Sequence, residues 1–542
     1  MGRLKINGTF TGNKVPRLTR FLYPFSGIFR DACYALVGSF LLQYALTSGV
    51  LSDNSEVFAA QYGVITVAMM VALVWDGIND PIMGFIVEKV HFKLGKFKPW
   101  ILIGAIGNAL AVLLLFLVRP GGDGWAYVVL MIVFYVLWDT FFTMNDIGYW
   151  AMLPSLTNDD KERASLTSHV SICAAIGGFL MTAMATLLPG MLSGVATSTV
   201  YAILAIAISI LFLVSQAAIF FLCQERARDE AVEEASEKSS LVDLFKVIVK
   251  NPQLRIIVIC MFLYYLANGV ITGGIGLNYY YLSVGYGGNQ GGLVVTLISV
   301  FYVAAMIGSQ ALYPILAKKI AKKKILLLGT IVALVGALGF FFTCFPIFSD
   351  TSLNISANTY VPTTPMDFGW AFGGMMWCNY LFPFLFFFGA GTVYMVILVM
   401  FQDSIDYDEY RFGDRKESLI SAWRPLTVKL GSALLRGIQF LVFLTAGVMT
   451  TVNGISTAEQ TFNAEKVEFG DEIATEHFKK AIADVMESVT AENLRIIGLW
   501  IVIILVACFV AVFVIIMLNY KISEEKHLKI VEEIEKRHAE GE

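Results

Sequence analysis

The chain is 542 residues long, 57% apolar and only 15% charged, with a mean hydropathy of +0.69. Soluble domains run at roughly 45–50% apolar and about 25% charged, so these values exclude a soluble globular protein and indicate a polytopic membrane protein. The net charge of −4 adds little, because sidedness depends on where Lys and Arg fall and not on their sum.

Residues 1–25 are basic and lack a short apolar core with a small-residue cleavage site, so they are expected to lead into a first span and not to form a signal peptide. A hydrocarbon core of ~30 Å needs about 20 apolar residues per helix. Runs of that kind predict twelve spans, at 26–50, 61–88, 99–118, 125–153, 165–189, 197–223, 253–284, 290–317, 324–346, 369–402, 418–449 and 493–519. The fold class expected is an all-α membrane protein of two six-helix bundles, 26–223 and 253–519, with a charged linker at 224–252 and a tail at 520–542. Basic residues recur in alternate connections: Arg17 and Arg20, then Lys89, Lys93, Lys96 and Lys98, then Lys161 and Arg163. The same side receives Lys246 and Lys250, the cluster Lys318 to Lys324, and Arg411, Arg415 and Lys416. The opposite short connections hold Asp53, Glu56, Asp350 and Asp367 and, apart from Arg119, almost no Lys or Arg, which predicts both termini on the cytoplasmic side of a cell membrane. Two opposite connections are long, 347–368 and 451–492; the second has a partly helical period and reads either as a lid or as a solvated helical hairpin.

The halves repeat faintly. Pro81-Ile82-Met83 before a basic loop parallels Pro314-Ile315-Leu316 before lysines, and Ile147-Gly148-Tyr149 parallels Ile405-Asp406-Tyr407. Such a repeat fits two halves related by an axis along the membrane normal. Charge does not repeat: Ser309 and Tyr313 stand where the first half has Asp76 and Asp80.

Ionisable groups inside a span are costly, by roughly 2.5–3.5 kcal/mol each on the insertion scale, and mark function by default. In the second span Asp76, Asn79 and Asp80 lie at i, i+3 and i+4 and share a face. Pro81 has no N–H, which leaves the Gly77 carbonyl without its helix partner. Two carboxylates, an amide oxygen and a carbonyl suit Na⁺, Li⁺ or a proton; the alternative is an ion pair with a basic residue on another helix. The fourth span carries Asp139 and Asp146, seven apart, with Thr143 between and Trp150 one turn beyond; the first opens with Arg30-Asp31. Carboxylates beside an indole ring suit a polyhydroxylated ligand, or else they neutralise cations elsewhere. Candidate cations are Arg424, Lys429 and Arg436 on the eleventh span, with Lys429 expected near mid-depth. The seven cysteines form no CxxC and read as packing residues. The five histidines do not cluster, and His169 reads as a packed polar residue before a ligand. No Ser/His/Asp arrangement, HExxH or phosphate-loop motif is present, so no enzyme is expected.

Trp75-Asp76-Gly77-Ile78-Asn79-Asp80-Pro81-Ile82-Met83-Gly84, followed by Leu94-Gly95-Lys96-Phe97-Lys98-Pro99-Trp100, resembles the signature of the glycoside–pentoside–hexuronide:cation symporters of the major facilitator superfamily. Asp146-Ile147-Gly148-Tyr149-Trp150-Ala151-Met152-Leu153-Pro154, Asp403-Ser404-Ile405-Asp406-Tyr407-Asp408-Glu409-Tyr410 and Val428-Lys429-Leu430-Gly431-Ser432-Ala433 match further family motifs in the family's order. The resemblance covers roughly residues 20 to 520 apart from the two long outer connections. It implies the coupling cation, Na⁺ or Li⁺ before H⁺, at Asp76, Asn79, Asp80 and Thr143, with Na⁺ on Asp76 and Asp80. It places the sugar at Asp31, Asp146 and Trp150, with Lys429 near both. Two positions depart from melibiose-type members: Ser171 replaces an arginine that contacts the sugar, and Tyr394 replaces a tryptophan. Asp139 and Arg424 look like additional charges, so an acidic sugar pairing with Arg424 and an Asp139–Arg424 pair both stay open.

The expected function is therefore a cation-coupled symporter, with Na⁺ as coupling ion and no cofactor, importing a glycoside, oligosaccharide or hexuronide as a monomer in the lipid bilayer by alternating access. The alternative on the same scaffold is a Na⁺-coupled carrier of lysolipids or other amphiphiles. A third reading, a non-transporting membrane sensor, does not explain an intact cation constellation.

Overall fold

The structure is a computed structural model that describes residues 9–10, 14–90, 92, 95–157, 160–192, 194–226, 241–286, 290–360, 364, 366–413 and 420–541. His91, Lys93 and Leu94 of the basic connection, most of the charged linker (227–240), and Arg415 and Lys416 lie outside the described residues. Among the described residues, twelve helical segments are long and apolar enough to cross a membrane, and the chain is a multi-pass membrane protein. It divides into two compact units, Met1–Glu237 with Met449–Ser488, and Lys238–Val448 with Val489–Glu542.

The first unit contains α1 (Arg17–Thr47), α2 (Ser55–Lys89), α3 (Lys98–Leu117), α4 (Trp125–Ser155), α5 (Asp160–Met191) and α6 (Thr197–Leu222). The two-residue parallel strands β1 (Thr9–Phe10) and β2 (Glu225–Arg226) pair beside them. Helix α1 packs on α5 and α6, α3 lies against α4 and α6, and α2 runs along α4. Asn54 starts α2 by accepting the Glu56 and Val57 amides, two of the donors a helix N-terminus leaves unpaired. Helix α2 then continues unbroken through Pro81.

The second unit contains α7 (Leu241–Lys250), α8 (Pro252–Thr272), α9 (Gly274–Val284), α10 (Gln290–Ala317), α11 (Lys322–Cys344), the short α12 (Leu353–Ser356) and α13 (Phe368–Phe372), α14 (Cys378–Phe412) and α15 (Trp423–Thr445). It closes with α18 (Ala491–Asn519) and α19 (Glu524–Gly541). Each expected span has its helix, but α1 begins nine residues and α2 six residues before the expected start, α14 ends ten residues beyond the expected end, and three further differences stand out. The seventh is split at Gly273 into α8 and α9. The tenth begins at Cys378 and not at 369, because a separate turn, α13, and the left-handed Gly374 (φ +52°) precede it. The eleventh begins at Trp423 and not at 418.

Apolar burial cannot select helix partners inside hydrocarbon; close backbone approach at small residues does. Both units use the same device. A Cβ on Gly104 of α3 would lie 2.6 Å from Asn145 N and 2.8 Å from Phe141 O of α4, and one on Gly107 would strike the Phe141 ring at 2.3 Å. In α11, a Cβ on Gly336 would lie 2.3 Å from Phe386 N and 2.7 Å from Phe382 O of α14, and one on Gly339 would strike the Phe382 ring at 2.2 Å. Gly104-Ala105-Ile106-Gly107 and Gly336-Ala337-Leu338-Gly339 are thus one motif used twice.

One segment departs from sequence order. Residues 451–492 were expected as an outer loop of the second bundle. The helical period does mark a hairpin, α16 (Met449–Phe469) and α17 (Asp471–Glu487) turning at Gly470 (φ +87°), but the hairpin belongs to the first unit, where α16 packs on α1 and α2.

Candidate functional site

The second and fourth helices bring one predicted constellation together. Asp76, 8% exposed, accepts a hydrogen bond at 3.0 Å from Thr143 Oγ1, itself 3% exposed. Asn79 is buried one turn along the same face, and Asp80 is half-buried next to it. The Asn79 amide nitrogen is buried with no hydrogen-bond partner among the described residues. A half-turn of the amide presents its oxygen there instead, so this end of the site can supply an acceptor. Asp139 is buried one turn before Thr143 on α4. The donor set is therefore all oxygen: carboxylates, a hydroxyl and an amide, which suits a hard cation. Among the described residues no three His, Cys, Asp or Glu groups converge to hold a metal ion, so a cation here would rest on two carboxylates with the Thr143 hydroxyl and the Asn79 amide.

The second constellation shares α4. Asp31 and Asp146 are only partly buried, with side chains 26% and 35% exposed, and Trp150 is exposed. Between them lies Arg30, 2% exposed. Its Nη2 and Nε donate to Asp31 Oδ2 at 2.8 and 3.0 Å, and its Nη1 lies 3.1 Å from Asp146 Oδ1 as an ion contact without hydrogen-bond alignment. The guanidinium also stands over the Tyr149 ring (4.2 Å) and the Trp150 ring (5.1 Å). Tyr149 is held in turn by stacking on Tyr23 and by donating to the Tyr23 carbonyl at 2.8 Å, while the Tyr23 hydroxyl donates back to the Tyr149 carbonyl. Asp31 of α1 and Asp146 of α4 are thus both oriented by a cation of α1. The signal was present in the adjacency of Arg30 and Asp31 inside a span.

Ser171 is exposed and donates to the Thr167 carbonyl of its own helix at 2.9 Å. His169 is exposed, with Nδ1 2.6 Å from the Ser165 carbonyl, and is not the packed polar residue expected. Arg119, the exceptional basic residue, donates to Ser198 Oγ and O at 2.8 and 2.9 Å.

The second unit presents the remaining candidates. Tyr394 of α14 stacks on Tyr264 of α8 at 4.9 Å and shares a hydrogen bond with the Tyr265 hydroxyl at 2.9 Å, which makes a rigid aromatic wall with polar edges. On α15, Arg424 is exposed in the first turn, and Lys429 and Arg436 are half-buried. Because the helix starts at Trp423, Lys429 lies about two turns from its beginning and not near the middle. Family-motif Asp403 has a structural setting: it is buried, with Lys322 Nζ at 2.5 Å, Tyr520 Oη at 2.9 Å and His527 Nε2 at 3.5 Å.

Twelve spans, two units that repeat one packing motif and charged groups held inside spans define the class as a major-facilitator-type carrier. The sequence model of the MFS/sugar transport protein family matches residues 51–465, and the chain belongs to that family, one of transporters and not of enzymes. Among characterised relatives, the raffinose carrier protein of Pediococcus pentosaceus is 26% identical over 81% of this chain and 65% of its own length, so the chain spans about two thirds of that relative. The lactose permease of Leuconostoc lactis is 26% identical over 98% of this chain and 73% of its own length. The isoprimeverose transporter of Lactiplantibacillus pentosus is 24% identical over 80% and 81%. In fold, the chain resembles a bacterial homologue of the human lysosomal transporter Spinster, with a TM-score of 0.52, 14% identity and 93% of this chain and 96% of that one covered.

Proposed function

We propose that the protein is a cation-coupled symporter, with Na⁺ as the coupling ion, that carries a glycoside, oligosaccharide or hexuronide across a cell membrane with both termini on the cytoplasmic side. Relatives named for raffinose, lactose and isoprimeverose support a saccharide substrate. The observation that carries the coupling is the shared use of α4. Thr143, bonded to Asp76, and Asp146, held by Arg30, are three residues apart on that helix, a rise of about 4.5 Å.

In this mechanism a monovalent cation enters between Asp76 and Asp80 and offsets their repulsion, with Asn79 and Thr143 completing an oxygen shell. Fixing Thr143 fixes the turn of α4 that carries Asp146 and Trp150. Asp31 and Asp146, oriented by Arg30, accept from sugar hydroxyls, and Trp150 covers a C–H face. By linkage, sugar tightens cation binding by the factor by which cation tightens sugar binding. Alternating access of the two bundles then carries both together.

The test is uptake of labelled raffinose, lactose and isoprimeverose by proteoliposomes under an imposed Na⁺, Li⁺ or H⁺ gradient, with lysophosphatidylcholine as competitor. Saccharide uptake that follows the Na⁺ gradient supports the reading. Uptake driven only by ΔpH removes the Na⁺ assignment, and competition by the lysolipid alone replaces the sugar with an amphiphile.

A further inference from the structure

The hairpin α16–α17 lies between α15 and α18 in sequence but is built into the other unit. Its dock there is dense. Asn453 Nδ2 donates to the Ser52 carbonyl at 2.8 Å, the Gln460 amide donates to the Leu51 carbonyl, and Lys466 Nζ donates to the Gly194 carbonyl at 3.0 Å. Phe462 and Ala474 close a small apolar core with Ala196, against which Phe478 packs. The fit is close enough that Gly49 cannot carry a side chain: its φ is +70°, and a Cβ there would lie 2.9 Å from Gln460 N and 3.1 Å from the Ser456 carbonyl. The ends of the α1–α2 and α5–α6 connections are thus capped by chain that arrives from the second half.

The hairpin is reached and left through three-residue joints, 446–448 and 488–490. Three extended residues span at most about 10 Å, and both joints are already tied down. Val448 N bonds the Phe443 carbonyl at 3.2 Å, Asn493 Nδ2 bonds the Ala446 carbonyl at 2.7 Å, and Thr490 and Asn493 form a reciprocal capping box. We propose that the hairpin is a strap: a fixed part of the first bundle that, through its two short joints, limits how far the adjoining ends of α15 and α18 can travel from that bundle. Its use as a limit on the transport cycle rests on the symport reading; the tether itself does not.

Glu459 makes the dock responsive to pH. It is 1% exposed at the first turn of α6, and its carboxylate accepts hydrogen bonds from the Thr197 amide, at 3.1 Å, and the Thr197 hydroxyl. Burial pushes its carboxyl up to about 7, against the opposing pull of those two bonds. The neighbouring charges are engaged elsewhere: Arg119 with Ser198, Lys466 with Gly194 and Asp471, and His477 with Glu465. A carboxyl raised in the docked state binds its proton more tightly there than when released. Docking is therefore strongest in acid and weakens as the pH rises through 7.

Two measurements on the purified full chain test this without any substrate, so failure of the symport reading leaves them intact. In the first, spin labels are placed at Glu56→Cys and Asp350→Cys, both exposed, with half-buried Cys173 changed to Ser. Six Gly/Ser residues added to each joint should at least double the width of the distance distribution while α16 and α17 keep their amide-exchange protection. An unchanged distribution, or loss of that protection, overturns the strap. In the second, the exchange protection factor of α16 should fall at least tenfold between pH 6 and pH 8.5 and should stay level in Glu459→Gln. The same fall in Glu459→Gln overturns the role of Glu459.

Discussion

Removing Arg30 tests whether Asp31 and Asp146, the carboxylates proposed for the sugar, depend on a buried cation. Arg30→Met keeps the length and apolar stem but deletes a guanidinium that is 2% exposed and lies within 3.1 Å of both Asp31 and Asp146. Breaking a buried ion pair from one side costs roughly 3–5 kcal/mol because the remaining charge is uncompensated. Here the carboxylates are 26% and 35% exposed and can recruit water or a proton, so the lower end, about 3 kcal/mol, applies. Contacts with Tyr149 and Trp150 add about 1 kcal/mol. The single variant should therefore unfold far more readily than wild type in detergent, and Arg30→Met with Asp31→Asn and Asp146→Asn should recover at least half of the loss. Arg30→Lys should fall between, because an ammonium cannot fork toward two carboxylates. Thermal unfolding followed by size-exclusion fluorescence ranks all four proteins. Wild-type stability in Arg30→Met, or a triple variant no better than the single one, would refute the claim that Arg30 compensates these acids.

At the cation constellation, Thr143→Val removes a bond to a carboxylate worth about 1.5 kcal/mol or more, so the Na⁺ concentration that half-saturates uptake should rise about tenfold. Asp76→Asn should preserve surface expression and abolish concentrative uptake; unimpaired uptake would contradict the assigned role. Gly336→Leu should cost at least about 1–3 kcal/mol through overpacking against the α14 backbone and lower the yield of monodisperse protein. Gly84→Ala, with open space around it, should not. The raised carboxyl of Glu459 predicts that the hairpin dock loses about 3 kcal/mol between pH 4.5 and pH 7, all of its contribution being present below pH 4.5. Equal protease sensitivity of the hairpin at pH 5 and pH 8 would contradict that. Deleting 523–542 should leave Asp403 satisfied by Lys322 and Tyr520 and cost little, whereas Lys322→Met should be severe. Comparing expression of the two checks it.

The spans were legible because a 20-residue apolar run has few other physical readings, and the Asp76/Asn79/Asp80 face followed from helix period alone. What was hidden came from interactions that hydropathy does not encode. The break at Gly273 removes no apolar residue, so the seventh span reads as continuous. The paired Gly104/Gly107 and Gly336/Gly339 contacts depend on which helix lies opposite. The repeat Gly-Ala-x-Gly was visible in the letters, but its meaning needed Phe141 and Phe382 across the interface. Arg30 was given no role because partners for the acids were sought on the eleventh span, and its contacts with Asp31 and with Asp146 of α4 depend on which helix lies beside α1. The hairpin was assigned to the second bundle by its place in the chain; its buried face, from Asn453 to Phe462, belongs to the first.

The repeat separates what the scaffold needs from what transport needs. Both units keep the glycine pair and the facing phenylalanine, since each must bring two helices to backbone contact. Only the first unit keeps charge at the repeat positions of the second span. Their counterparts in α10 are buried but neutral: Ser309 donates to the Met306 carbonyl of its own helix at 2.9 Å, and Tyr313 is 6% exposed. If the acids of α2 served only helix packing, the duplicated packing would be expected to duplicate them. That it does not is the physical argument for a single cation per cycle. It predicts that Na⁺ dependence of sugar binding has a Hill coefficient near one, and a coefficient approaching two would require a second site that the α10 residues do not offer.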